Sequence, residues 1–269
     1  MKTRFLPILA AIGLATNANA ANILITKFDF DNSRAPYTTM KATLEAAGHT
    51  ATIVDARTGG SLATALGAAS YDQVYLFDLT SALYLNATDT SALSSFWSTH
   101  KGLVVDSRSY GYYFQGTDPS EQALLRNVAA NFGLTGGGVW VGTDHNPVWT
   151  NNGNAFLTAI GVNPITGSYG DPVNFADPSS VLLSGVTPTA LWGGGETVGS
   201  VPLGVQPNGV EMFLHFGHIR ADQSILPYIS ASFPLSGPQP PSGVPDGGST
   251  ALMLVGALVA LVGARRAQR

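Results

Sequence analysis

The chain has 269 residues, a formal net charge of −4, 45% hydrophobic and 11% charged residues, and no cysteine. The lack of cysteine excludes disulfide-stapled modules, cysteine-ligated zinc sites and cysteine nucleophiles, and the scarcity of basic residues argues against nucleic-acid binding. The hydrophobic content is too high for a disordered chain, so we expect a globular protein.

Residues 1–20 have the three parts of a secretory signal peptide. Lys2 and Arg4 precede an apolar run over 5–15, and the segment ends in Ala18-Asn19-Ala20, a small-residue cleavage pattern. A buried first helix is the alternative, but a strand-like segment follows at once. The sequence therefore predicts cleavage by signal peptidase and export through the inner membrane.

Strands and helices then alternate through residue 142. The apolar pattern predicts strands over 23–28, 50–55, 73–78, 102–106 and 139–142, and amphipathic helices over 36–47, 61–69, 88–100 and 119–132. Continuous apolar strands between amphipathic helices are typical of a parallel sheet covered on both faces. We therefore predict a doubly wound α/β domain over residues 21–236, with its functional site at the carboxyl ends of the strands.

The pattern loosens beyond residue 143, in a part rich in glycine and proline. The sequence predicts a helix over 151–161, short strands near 181–183, 190–192 and 198–203, an apolar strand over 209–216 and a closing helix over 222–229. A Gly/Pro-rich linker over 237–243 follows.

The body of the chain is acidic: residues 21–243 contain sixteen acidic and eight basic side chains. This acidic balance favours cation binding and disfavours contact with anionic membranes or nucleic acid.

The last segment, residues 244–269, has three parts. Val244-Pro245-Asp246-Gly247-Gly248 is followed by an uncharged apolar stretch that reaches residue 264 and by a cluster of arginines. As a helix rising 1.5 Å per residue, residues 247–264 would span about 27 Å, enough to cross a thin bilayer. The positive-inside rule would keep the arginines cytoplasmic and the body outside. A core helix is the alternative, but this stretch is apolar on every face.

This tripartite tail resembles the PEP-CTERM sorting signal in its VPDSG-like variant. The family's usual signature is Val-Pro-Glu-Pro, and Asp246 and Gly247 replace its last two residues. The resemblance implies that an exosortase-type membrane peptidase recognises the tail, so that a transmembrane helix holds the chain in the membrane only before processing. It also implies an exported protein of a Gram-negative bacterium that resides in the cell envelope, on the outer surface or in the extracellular matrix.

Polar side chains collect where the predicted strands end, and the carboxyl ends of parallel strands meet in one crevice. The ligand-binding candidates are Asp29, Asp31, Asp78, Asp106, Arg108, Tyr110 and Asp144. The carboxylate oxygens of Asp29, Asp31, Asp78 and Asp106 suit Ca²⁺ or Mg²⁺, and no other cofactor is predicted. The alternative is that helix N-termini and loop amides satisfy these acids. A set of aromatic side chains either belongs to the core or lines a sugar-binding groove: Trp140, Trp149, Trp192, Tyr110, Tyr112 and Tyr113.

The order of elements resembles the class I glutamine amidotransferase-like superfamily, which has a flavodoxin-like fold. The resemblance covers roughly residues 22–220 and implies a nucleophile at Ser107 or Ser109, on the turn after a central strand. It places a histidine at His215 or His218, after a late strand. The Gly-x-Cys-x-Gly motif and cysteine itself are missing, so the resemblance implies the fold without glutamine hydrolysis.

Two functional hypotheses follow. In the first, the domain is a noncatalytic surface or matrix module that binds a ligand or partner at the crevice. In the second, it is a serine hydrolase that acts on extracellular polysaccharide or esters, with Ser109 as nucleophile and His145 or His218 as base.

Overall fold

The computed structural model describes residues 20–28, 37–79, 84–108, 118–170, 172–176, 180–187, 191 and 197–235. These residues lie in a unit that runs from Met1 to Pro238, and a second unit covers Gln239–Arg269. Helices in the described part are α1 Tyr37–Ala46, α2 Ser61–Ala68, α3 Ala87–Trp97, α4 Pro119–Thr135 and α5 Asn151–Ala159. Strands there are β1 Asn22–Lys27, β2 Thr50–Asp55, β3 Gln73–Leu76, β4 Gly102–Asp106, β5 Gly138–Gly142, β6 Thr166–Tyr169, β7 Pro172–Ala176, β8 Val198–Ser200, β9 Gly204–Val205, β10 Glu211–Arg220 and β11 Ile225–Ala231.

The predicted α/β architecture is confirmed. Strands β1 to β5 are parallel and lie in the order β2-β1-β3-β4-β5. Helices α1 and α4 cover one face of this sheet, and α2, α3 and α5 cover the other. Because both faces are buried, the central strands read as continuous apolar runs, as in the fully buried β4 (GLVVD).

Antiparallel strands extend the sheet beyond β5. Strand β11 pairs with β5 and β10, β10 also pairs with β7 and β9, and β6 and β8 form a separate two-stranded sheet. The whole sheet is therefore mixed, with its parallel strands in one contiguous block.

Two sequence predictions in this region are wrong. The closing helix expected over 222–229 is strand β11, because Gln223 adopts a φ of +65° and the Arg220 N–H donates to the Ser224 carbonyl, closing a β10–β11 hairpin. Pro227 would also interrupt a helix there. The strand expected near 181–183 is a 3₁₀ helix, because the Ser180 hydroxyl accepts from the Leu182 N–H at 3.1 Å. The strand near 190–192 lies mostly outside the described residues.

Capping residues in the sequence determine where several helices begin and end. Asn86 and Asp89 form a capping box at the start of α3, and Asp118 caps α4 ahead of Pro119 at its first position. Gly136 ends α4 with a φ of +75°, a left-handed conformation that glycine adopts without steric cost. These caps fix where each helix meets the sheet.

The parallel strands have two ends, which we call the amino edge and the carboxyl edge of the sheet. In the part of the chain that the structure describes, no helix is long and apolar enough to cross a membrane. The predicted transmembrane stretch over 247–264 and residues 1–19 of the predicted signal peptide (1–20) lie outside the described residues.

Candidate functional site

Three aspartates stand at the carboxyl edge on adjacent strands. Asp78 follows β3, Asp106 ends β4 opposite Gly142, and Asp144 follows β5. All three are buried, and Asp78 adopts a φ of +50°, a conformation that is uncommon outside glycine. The structure thus brings together three predicted ligand-binding residues.

Asp144 and His145 form an acid–imidazole pair at this edge. The Asp144 carboxylate accepts from the His145 backbone N–H at 2.7 Å, and His145 Nδ1 lies 2.6 Å from the same oxygen. Asp144 is buried, whereas a quarter of the His145 side chain is exposed. The half-buried Trp149 packs its ring 4.3 Å from the imidazole. Asp144 therefore holds the His145 ring through Nδ1 and fixes its orientation.

Backbone hydrogen bonds hold the turn that carries His145 in place. The Gly199 N–H in β8 donates to the Asp144 carbonyl at 3.0 Å, and the Trp149 N–H donates to the His145 carbonyl at 2.9 Å. A side chain at Gly199 would meet Asn146 Cβ at 2.8 Å. The glycine at this position therefore allows the small sheet to close over the turn.

Beside this pair, Asp106, Arg108 and Glu121 form a buried ionic network. Arg108 Nε and Nη2 donate to the two Asp106 oxygens at 3.1 and 3.0 Å, and Nη1 donates to Glu121 at 3.0 Å. None of these side chains is more than 6% exposed, and the guanidinium lies 5.3 Å from the centre of the Trp140 ring. Asp106 and Arg108, both predicted to bind ligand, are therefore engaged inside the protein.

The network contains two carboxylates for one guanidinium. This imbalance contributes to an unusual pKa of the Glu121 carboxyl. Burial raises the pKa of the Glu121 carboxyl from 4.5 to about 7; Arg108 opposes this shift and Asp106 adds to it. The Glu121 carboxyl therefore ionises at a higher pH than an exposed glutamate.

The two late histidines occupy separate places in β10. His218 lies two strands from β5, with its buried ring 4.6 Å from the Tyr228 ring, and burial lowers its pKa to about 4. His215 Nε2 lies 2.5 Å from the Phe233 carbonyl, and Nδ1 contacts the Ser180 hydroxyl. Burial lowers the pKa of His215 to about 4 as well. Both rings are therefore neutral at pH 7, and the partly exposed histidine at the carboxyl edge is His145.

The remaining candidates lie outside the described residues: Asp29, Asp31, Ser109, Tyr110 and the sorting motif Val244, Pro245, Asp246, Gly247 and Gly248. Within the described ranges, no group of three or more His, Asp or Glu side chains is arranged to hold a metal ion. The Ca²⁺ or Mg²⁺ site expected through Asp29, Asp31, Asp78 and Asp106 stays a prediction.

Two residues that make buried polar contacts, Glu121 and Ser180, were not predicted from the sequence. Glu121 occupies the first turn of α4, where an acid ordinarily complements the helix dipole at the surface, so nothing local indicated its burial. Ser180 binds a histidine 35 residues away in the chain. Only the tertiary packing reveals either role.

A comparison with protein families gives one finding for the C-terminal tail. Residues 243–267 match the family described as the VPDSG-CTERM motif. The match supports a PEP-CTERM-like sorting signal and is consistent with export, with processing by an exosortase-type system and with a location in the envelope or at the cell surface. It covers the tail alone. No curated protein and no solved structure matches the chain, so the amidotransferase-like resemblance of the body stays a prediction.

Proposed function

We propose that this protein is exported, sorted through its C-terminal tail by an exosortase-type peptidase, and binds an extracellular polysaccharide at its carboxyl edge. The match over residues 243–267 is the observation that carries the sorting part. We also propose that the domain is flavodoxin-like, which the strand order β2-β1-β3-β4-β5 supports. The tail would anchor the chain in the inner membrane until it is processed.

The binding part rests on the arrangement around His145. A partly exposed imidazole and the indole of Trp149 lie side by side, next to the buried Asp144 carboxylate. Aromatic faces and fixed polar groups are the elements that orient a ligand in a shallow site. The acidic balance of the body argues for a neutral rather than an anionic polysaccharide.

The sorting part is tested with the full chain in a bacterium that has an exosortase-type peptidase and in a strain from which that peptidase is deleted. Replacing Pro245 and Asp246 by alanine should leave the tail attached, and deletion of the peptidase should do the same to the wild type. Intact mass of the purified protein reports the outcome. Identical processing of the wild-type tail in both strains would contradict the sorting proposal.

The binding part is tested by electrophoresis of the processed protein through gels containing dextran or alginate. We expect dextran to retard the wild type and to retard Trp149→Ala and His145→Ala much less. Leu134→Ala, an exposed aliphatic residue at the other edge, is the control and should behave as the wild type. Equal mobility of all four proteins in every gel would contradict binding at this site.

A serine hydrolase is the second candidate, and the 2.6 Å contact between Asp144 and His145 favours it because a general base needs such an orienting acid. Reaction with a fluorophosphonate probe, compared among wild type, Ser109→Ala and His145→Gln, tests this function. Labelling lost in both variants would establish an activated serine. Ser107→Ala is the matched control, because the Ser107 side chain is fully buried.

A further inference from the structure

Strand β2 is the outermost strand at one side of the sheet. Among the described residues it pairs with β1 alone, and we call the side that faces away from β1 its outer side. The Thr50 N–H donates to the Ala21 carbonyl at 2.9 Å, so the backbone groups of Thr50 point inward, to β1. Since the backbone groups of successive residues point to alternate sides of a strand, those that point outward belong to Ala51, Ile53 and Asp55.

The sequence of β2 (TATIVD) favours pairing with a further strand. It contains neither proline nor lysine, and most of its residues are β-branched. An outermost strand of this kind is a template on which another chain can pair. Two copies of β2 can align antiparallel about Ile53, because the outward groups of Ala51 in one copy then face those of Asp55 in the other.

One lysine covers the first part of this outer side. Lys41 Nζ donates to the Ala51 carbonyl, and it also donates to the Glu45 carboxylate at 2.6 Å. Met40 and Leu44 are buried on either side of Lys41 in the sequence and hold α1 against the sheet. Ala51 is only 1% exposed although it lies in the outermost strand. The outward carbonyl of Ala51 is therefore already engaged within the chain.

We propose that Lys41 is a gatekeeper residue that prevents β2 from pairing with the β2 strand of a second copy of the chain. The ammonium group occupies the carbonyl oxygen that the Asp55 N–H of an incoming copy would need. Moving the ammonium group away would also break its ion pair with Glu45. Lysines are among the residues with which proteins protect outermost strands. The inference concerns the domain alone and does not depend on the proposed function.

The charges near the two ends of β2 act in the same direction. Arg57 Nε donates to the Asp55 carboxylate at 2.8 Å, and Lys27 is the partner of Asp55 in the register of β1 and β2. Antiparallel pairing would bring these three side chains to Lys41 and Glu45 of the other copy. Of these five described side chains, three are basic and two are acidic, so the excess positive charge opposes pairing. A neutral residue in place of Lys41 removes that excess.

The absence of native cysteine allows a direct test in the full-length chain, solubilised in a mild detergent. Ile53→Cys places a thiol at the centre of the expected pairing. Directly opposite residues of a hydrogen-bonded pair there have Cα atoms about 5.5 Å apart, a separation that a disulfide spans. Leu134→Cys is the matched control, on a residue in the last turn of α4 that is 61% exposed.

Each thiol is combined with the native Lys41, with Lys41→Met and with Lys41→Arg, and the fraction of disulfide-linked dimer is measured after mild oxidation. Methionine retains a long apolar side chain but loses the donor and the charge, whereas arginine keeps both. Lys41→Ala is a second variant without the donor and carries the same expectation as Lys41→Met.

We expect the dimer fraction at position 53 to be several-fold greater in Lys41→Met and Lys41→Ala than in the chains with lysine or arginine. At position 134 the substitutions should leave it unchanged. Equal dimer fractions at position 53 in all four backgrounds would overturn the proposal. An equal increase at positions 53 and 134 would also overturn it, because it would show general unfolding or collision rather than pairing of β2.

Discussion

Replacing Glu121 by glutamine is expected to stabilise the protein above neutral pH and to leave its stability unchanged in acid. The carboxyl is buried against Asp106 and Arg108, and its pKa rises from 4.5 to about 7. At about 1.4 kcal/mol per pKa unit, that difference corresponds to about 3 kcal/mol. Glutamine resembles the protonated acid in shape and charge, so the variant should retain what the wild type loses as Glu121 ionises.

The sign follows from where the proton binds more tightly. The folded protein holds the Glu121 proton more tightly than the unfolded chain does, so this contribution to stability is fully present below pH 4.5. It decreases as the pH rises and is lost above about pH 7. Wild-type stability should therefore fall across this window relative to that of Glu121→Gln.

Urea unfolding of the processed protein, followed by tryptophan fluorescence at a series of pH values, measures the effect. Taking the difference between wild type and variant cancels the titration of the histidines, which both proteins share. Glu45→Gln is the control, because this exposed carboxylate pairs with Lys41 at the surface and its loss should change the stability only slightly. A Glu121→Gln protein less stable than wild type at pH 8 would refute the reasoning. It would mean that the attraction of Arg108 outweighs the cost of burying a second carboxylate.

Three further substitutions test the local framework. Asp89→Ala should cost about 3 kcal/mol in urea unfolding, because this buried carboxylate accepts from backbone N–H groups at the starts of α2 and α3; a loss below 1 kcal/mol would contradict that role. Gly199→Ala should loosen the turn around Asn146 and speed amide exchange of the Trp149 N–H, and unchanged exchange would refute the fastening. Gly133→Ala should stabilise α4 by about 1 kcal/mol, since nothing lies within 4 Å of the added Cβ. A lower stability of this variant in urea unfolding would contradict the prediction.

The parallel part of the fold was predictable because its signals are local and agree with one another. Strand β4 has the predicted bounds, 102–106, and the predicted helix over 119–132 corresponds to α4 with its Asp118 cap and Pro119. The antiparallel extension was less predictable. Strand β11 reads as an amphipathic segment, and its structure depends on pairing with both β5 and β10. A single sequence window contains neither partner.

The candidate site also has a part that the sequence predicted and a part that it did not. The topological rule that places functional groups at carboxyl ends correctly brought Asp78, Asp106 and Asp144 to one edge. It did not indicate that all three are buried, because burial depends on partners elsewhere in the chain. Arg108 turns back onto Asp106 and Glu121, and so removes itself and one aspartate from the surface. Residue type and spacing therefore predicted the edge of the sheet at which these aspartates lie, but not their contacts.

The two halves of the carboxyl edge support each other physically. Asp106 pairs in register with Gly142, two residues before Asp144, so the ionic network and the acid–imidazole pair sit on neighbouring strand ends. A side chain at Gly142 would meet the Trp140 ring at 2.8 Å and would also contact Asp106. The close approach of these strands thus requires glycine, and the buried network gives the end of β4 a rigid position against β5. His145 consequently has a fixed position with one ring nitrogen held by Asp144, an arrangement that would limit the entropy lost in the proposed ligand binding.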